Sequence, residues 1–264
     1  FEPSQCAHWQ SSAMCCGQKI IPLWRFQTMP IQRLDKIISD SGRATRSQAR
    51  DYIKSGRVRV DGAVVTQIDG KFDSDAQISL DELPIRGGKR YIMLNKPEGV
   101  LSASEDREQK TVIDLLPPEL KGCGLFPVGR LDKDTRGLLI LTNDGDFCHA
   151  VTSPKSHIRK LYEAFTDEGL KPEDCAAFEK GLTLRDGTHC LPAKLIIDEN
   201  ETNHVFVELF EGKYHQIKRM LASRGATVQK LCRLEIGGLR LDENLAAGQW
   251  RELSKEELSK IVYK

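Results

Sequence analysis

The sequence predicts an α+β protein built from a small N-terminal α/β unit over residues 31–81 and a larger unit over residues 90–264. The larger unit is expected to carry a mixed, mainly antiparallel sheet. Three observations support this. Residues 31–60 set two short helix-period stripes ahead of an alternating stretch with a two-residue turn. Residues 82–89 hold Pro84, Gly87 and Gly88 among charges, the composition of a linker. From Arg90 onward, short apolar strands recur between glycines and prolines with a few helices among them. That order favours α+β over a regular alternation of strand and helix.

Residues 1–28 come first in the chain. They hold Trp9, Trp24 and Cys15–Cys16 without sustained periodicity, and are expected to be a disordered or non-native extension, with Met29 as the natural start. "RLDKIISDSG" then places Leu34, Ile37 and Ile38 on one helical stripe, with Gly42 as a stop. "TRSQARDYIKSG" reads as a second helix, capped by Thr45 or Ser47 and ended by Gly56. On it Arg46, Arg50 and Lys54 line one face while Ala49 and Ile53 face elsewhere. "RVRVDGAVV" alternates about an Asp61-Gly62 hairpin turn, with Arg57 and Arg59 on one side and Val58 and Val60 on the other.

In the larger unit, "YIMLNKPEGV", "GLLILT", "KLYEAFT" and "NHVFVELFEG" read as strands. "NDGD" is a turn whose aspartates can cap a helix. "KYHQIKRMLASRG" reads as a helix ended by Gly225, and "TVQKLCRLEIGGLRL" returns to strand.

Composition narrows the function classes. With 264 residues, 39% hydrophobic, 29% charged and a net charge of +1, the chain has an ordinary globular balance. No apolar run approaches the length of a membrane span, and no basic start leads into a secretory leader. A cytoplasmic protein is expected. The eight cysteines are irregularly spaced without C-x-x-C, so reduced thiols are expected rather than disulfides or zinc, and no metal site is expected.

The charge is unevenly distributed. Residues 31–60 carry Arg33, Lys36, Arg43, Arg46, Arg50, Lys54, Arg57 and Arg59 against Asp35, Asp40 and Asp51. One helix face and one strand face carry this excess together, an electrostatic footprint for a phosphate backbone. A second concentration lies in "FPVGRLDKDTRGLLILTNDGD", where Arg130, Asp132, Lys133, Asp134 and Arg136 sit between two segments that read as buried strands. A charged loop held between rigid strands is a common seat for catalytic groups.

Two resemblances give these features a meaning. "RLDKIISDSGRATRSQARDYIKSGRVRVDGAVV" resembles the S4 RNA-binding domain. It implies contact with structured RNA through Arg33, Arg43, Arg46, Arg50, Lys54, Arg57 and Arg59, mostly at phosphates. "GRLDKDTRGLLILTNDGD" resembles the signature of the pseudouridine synthases, in their RsuA-like, small-subunit branch. "LNKPEGVLS", "SPKSHIRKLYEA" and "FEGKYHQIKRML" appear in the family's order. This implies an isomerase that detaches uracil from ribose, turns it and rejoins it through carbon, without a cofactor.

The resemblance assigns roles residue by residue. Asp132 is the required aspartate, attacking the base at C6 or the sugar at C1′. A buried carboxylate takes up a proton unless a cation opposes this, and Lys218 is implied as that cation, with Arg219 as second choice. Adjacent helical residues point roughly 100° apart, so both cannot serve Asp132 equally. Many relatives carry arginine at the Lys218 position; lysine keeps the sign but not the two-pronged geometry. Tyr162 is implied to stack on the target base and to help remove the C5 proton. Arg130 is expected to hold the flipped nucleotide. Lys96 and Gln216 are expected to contact substrate, and Lys160 and Lys213 to touch phosphates or solvent. Leu131, Leu138 and Leu139 are expected to floor the site, and Gly129 and Gly137 to permit tight turns.

The expected substrate is ribosomal RNA, first of all one small-subunit uridine, free or in an assembling particle, acted on by a monomer. Two alternatives are a large-subunit enzyme of the same family and a non-catalytic RNA-binding or ribosome-assembly factor. A third is an aspartate-dependent hydrolase, in which Asp134 would have to serve as the second carboxylate.

Overall fold

A computed structural model describes residues 31–262 apart from 42, 74–75, 86–88 and 122. The expected extension over residues 1–28, the Gly42 stop and the Gly87-Gly88 part of the linker fall outside the described residues.

The N-terminal unit opens with β1 (Gln32–Arg33), α1 (Leu34–Asp40) and α2 (Arg46–Lys54). It is Thr45, not Ser47, that caps α2. Its hydroxyl accepts from the Gln48 amide while the Gln48 side chain accepts from the Thr45 amide, a reciprocal capping box. Strands β2 (Val58–Val60) and β3 (Ala63–Val64) turn through Asp61 and Gly62, both at positive φ (51° and 83°) as a tight hairpin requires. β4 (Lys71–Phe72) pairs with β1, and β5 (Ile78–Leu80) and β6 (Leu83–Ile85) complete an antiparallel sheet in the order β3-β2-β5-β6. Leu34, Ile37, Ile38, Ala49, Ile53, Val58 and Val60 form one buried cluster between helices and sheet, the stripes read from the sequence.

Asp35 has an unexpected place in this unit. Its carboxylate is fully buried and accepts from the guanidiniums of Arg33, Arg46 and Arg50. Burial alone would raise its pKa; the hydrogen bonds from Arg50 and Arg33 outweigh this and hold it below the usual carboxylate range.

The larger unit carries a nine-stranded sheet among the described residues. Its path uses β7 (Tyr91–Lys96), β9 (Arg136–Thr142), β10 (Lys160–Thr166), β13 (Lys194–Ile197), β14 (His204–Leu209), β15 (Val228–Ile236) and β17 (Trp250–Glu252). The order is β13-β14-β10-β15-β9-β7-β17, with β8 (Phe126–Pro127) on β9 and β16 (Leu239–Arg240) on β15. Every pairing is antiparallel except β15 with β9, so the sheet is mixed. Outside the sheet lie β11 (Leu182–Thr183) and β12 (His189–Cys190), which form a small hairpin.

Helices α3 (Pro118–Lys121), α4 (Gly145–Thr152), α5 (Pro172–Lys180), α6 (Gln216–Ser223) and α7 (Lys255–Val262) complete the unit. Asp144 caps α4, accepting from the amides of Asp146 and Phe147, as the "NDGD" turn predicts. Apolar side chains cover both faces of the central strands. On β9, Leu139 and Leu141 belong to one core and Leu138 and Ile140 to the other. This two-sided burial is why the strand reads as a continuous apolar run. No helix among the described residues is long and apolar enough to cross a membrane.

Candidate active site

The charged loop of the sequence runs from β8 to β9 and is fastened from below. Ser102 Oγ donates to the Leu131 carbonyl at 2.8 Å and accepts from the Leu131 amide at 3.1 Å. Lys96 Nζ donates to the carbonyls of Pro97, Asp132, Lys133 and Thr135 at 2.8–3.3 Å, and the Gly99 amide donates to Lys133 O at 2.8 Å. Lys96 is therefore not a substrate contact. It is fully buried with its ammonium committed to the loop's own carbonyls, and burial pushes its pKa down to about 8.

The Asp132 side chain projects from this loop, 29% exposed, into a cleft of about 660 Å³ lined by Glu98, Gly99, Lys133, Asp134 and His215. Lys218 Nζ stands 3.5 Å from Oδ2 and His215 Nε2 3.4 Å from Oδ1. Lys218 is shared, because Asp134 Oδ1 lies 2.5 Å from the same Nζ. That hydrogen bond holds the Asp134 carboxyl below its ordinary range. Asp134 is thus paired with Lys218, and Arg130 is exposed.

Arg219 points elsewhere. It forms an ion pair with Asp186 and donates to Tyr214 O and Thr188 Oγ1, fastening α6 to the β11–β12 hairpin. The step between adjacent helical residues separates Lys218 from Arg219 as geometry requires. Gln216 is 4% exposed, so it too is corrected from a substrate contact. Its Oε1 accepts from the Lys213 amide and its Nε2 donates to Glu211 Oε1, bracing the turn that carries His215.

Tyr162 lies in one row across the sheet. It pairs with Arg233 on β15, Arg233 with Gly137 on β9, and Gly137 with Lys96 on β7. Strand alternation puts the Tyr162, Arg233 and Lys96 side chains on one face, where Tyr162 packs in the same core as Leu131. The Arg233 guanidinium is buried. Nε donates to Leu138 O at 2.8 Å, Nη1 donates to the Tyr162 hydroxyl at 3.4 Å, and Nη2 has no partner among the described residues. Tyr162 is itself only 8% exposed and is not among the residues that line the cleft. Lys160 donates to Ile158 O, and burial with the nearby Arg233 charge brings its pKa to about 8. Lys213 pairs with Glu211 and remains exposed to solvent.

The arginines of the N-terminal unit are arranged differently from a plain basic face. Arg33, Arg46 and Arg50, each 39–54% exposed, surround Asp35. Arg57 pairs with Asp81 and lies over the Tyr52 ring, Arg59 pairs with Glu82, and Arg43 is exposed. His215, Ser102, Arg233 and Asp35 are the residues sequence reasoning missed. His215 alone carried a signal, as the neighbour of Gln216 in the motif that supplies Lys218.

The sequence profile of RNA pseudouridylate synthases matches residues 90–223, and that of the S4 domain residues 32–70. The chain is 41% identical over 230 residues to the uncharacterized RNA pseudouridine synthase YtzG of Bacillus subtilis, covering 86% of this chain and 96% of that protein. It is 40% identical over 235 residues to ribosomal small subunit pseudouridine synthase A of Vibrio cholerae, covering 87% and 99%. The Escherichia coli K12 protein of that name is 35% identical over 232 residues, covering 87% and 100%. A crystal structure of a pseudouridylate synthase superposes with a TM-score of 0.62 at 36% identity, covering 88% of this chain and all of that one.

Proposed function

We propose, from the premise that the chain belongs to the RNA pseudouridylate synthase family and carries an S4 domain, that it isomerises one uridine of small-subunit ribosomal RNA. Two of the relatives quoted above carry that substrate in their names. The observation that carries the chemical assignment is Asp132, held on a fastened loop in an open cleft with Lys218 and His215 within 3.5 Å of its carboxylate.

A first bond to C6 of the base and a first bond to C1′ of the sugar make the same demand. An ionised carboxylate must meet a nucleotide taken out of the helix, and a positive neighbour favours that ionised form. Lys218 supplies the neighbour as a point charge shared with Asp134. Extruding the base costs a few kcal/mol of lost stacking, which contacts from Arg130 and the S4 unit offset. Tyr162, steadied by Arg233, meets the base from the sheet side. The reading includes a monomer working in the cytoplasm, with 31–81 and 90–264 as the RNA-gripping and catalytic units.

Asp132→Asn keeps the shape of the side chain and removes its charge. It is expected to abolish isomerisation while leaving RNA affinity within several-fold; unchanged turnover would reject Asp132. Mapping pseudouridines in ribosomal RNA from cells with and without the protein tests the substrate. A missing mark in large-subunit RNA, or none missing at all, would overturn the small-subunit reading.

A further inference from the structure

The most exposed large apolar side chain among the described residues stands beside the site. Tyr214 is 76% exposed, and its ring stacks on His215 with centroids 3.9 Å apart and planes 14° apart. His215 is in turn 3.4 Å from Asp132. The two rings therefore form a short column that starts at the catalytic carboxylate and ends at an aromatic face open to water.

The column is held in place. His215 adopts a left-handed backbone (φ 46°), a conformation that persists in a non-glycine residue only when its surroundings over-determine it. Here Gln216 ties the turn to Lys213 and Glu211, and Arg219 donates to the Tyr214 carbonyl at 3.2 Å. Such bracing keeps an apolar ring in solvent, where it gains nothing from burial.

We propose that Tyr214, backed by His215, is a stacking platform for an unpaired nucleobase next to the target uridine. This rests on the reading of Asp132 as the carboxylate that meets the flipped nucleotide. Extruding one base exposes the faces of its neighbours, and an aromatic side chain replaces the lost stack whatever the base, since every base has a π-face. Tyr162, almost buried, is not placed to do this.

The test uses the full chain carrying Asp132→Asn, so that no turnover occurs, and a single-stranded RNA oligonucleotide with 2-aminopurine beside a uridine. Stacking quenches the fluorescence of this base. With Tyr214 present, binding is expected to quench it. Adding Tyr214→Ala is expected to weaken affinity about tenfold and abolish the quench. Tyr214→Trp is expected to keep the quench. Phe210→Ala, which removes another exposed aromatic four residues away, is expected to alter neither readout. Retained affinity and quench in Tyr214→Ala would overturn the platform. So would an Asp132-intact Tyr214→Ala protein that loses turnover while quenching normally, because the ring would then only support His215. Continued isomerisation by Asp132→Asn would instead sink the catalytic assignment and leave the quench measurement readable.

Discussion

Asp132 is useful only because Lys96 is not free. A lysine at the end of a strand, directly before a proline, would ordinarily be solvated. Here its ammonium closes four carbonyls under the loop and is itself fully buried. Replacing it by methionine leaves those carbonyls unpaired, each at a cost of about 1–3 kcal/mol where water cannot reach. This residue has a titration signature that Lys160 shares. Its folded-state pKa of about 8 lies below the unfolded value near 10.4, so between these values the unfolded chain binds more protons. Stability from this group therefore rises with pH across that window, by at most about 1.4 kcal/mol per unit. Chemical denaturation at pH values from about 7.5 to 9.5 is expected to show a shallower rise in Lys96→Met than in the native chain, the remainder coming from Lys160, which burial also brings to about 8. Equal slopes would place the charge elsewhere.

At the scale of elements, the site depends on how closely β15 runs beside β9. Gly137 has φ 104°, and a Cβ there would fall 2.4 Å from the Arg233 carbonyl oxygen and 2.8 Å from its nitrogen. Neither atom can swing aside, so Gly137→Ala must part the only parallel pairing among the described strands and shift Arg233 beneath Tyr162. A loss of a few kcal/mol and a collapse in kcat are expected. Gly129→Ala is the comparison: its φ is also positive at 76°, but its nearest neighbour, Thr152 Cγ2, is 3.5 Å away. It is expected to cost about 1 kcal/mol, the backbone strain alone. Thermal unfolding and turnover of the two variants measure the difference; equal losses would mean the strand approach is immaterial. From sequence both glycines read as turn formers, which describes Gly129 and not Gly137.

Across the whole molecule, the basic excess is concentrated in residues 31–60, with eight Lys and Arg against three Asp in a chain whose net charge is +1. The arginines there are partly compensated, three by Asp35 and one each by Asp81 and Glu82, yet all five remain 39–54% exposed and can exchange partners with phosphates. Each phosphate neutralised adds about 0.9 to the slope of log K against log salt for a double helix and about 0.7 for single strands. Removing residues 31–81 is expected to weaken RNA binding and flatten that slope by several such steps. Binding measured over a series of salt concentrations checks this, and an unaltered slope would show that the basic face makes no phosphate contacts.

The amino-acid sequence determined what depends on neighbours within a few residues. The helix stripes of α1 and α2, the Asp61-Gly62 turn, the cap at Asp144, the strands and the charged loop all follow from local periodicity and turn chemistry. Ordered motifs also singled out Asp132 and Lys218, which the fold brings within 3.5 Å of each other. Tertiary structure alone decided which charges meet, because those partners are far apart in the chain and only the sheet order brings them together. By inserting β15 between β9 and β10, the fold put Arg233 against Tyr162. By docking α6 over the loop, it gave Asp132 to Lys218 and His215 while turning Arg219 to Asp186. Burial cannot be read from the identity of a lysine or an aspartate, and so Lys96 is an internal brace where a substrate contact was expected, and Asp35 an internal partner of three arginines.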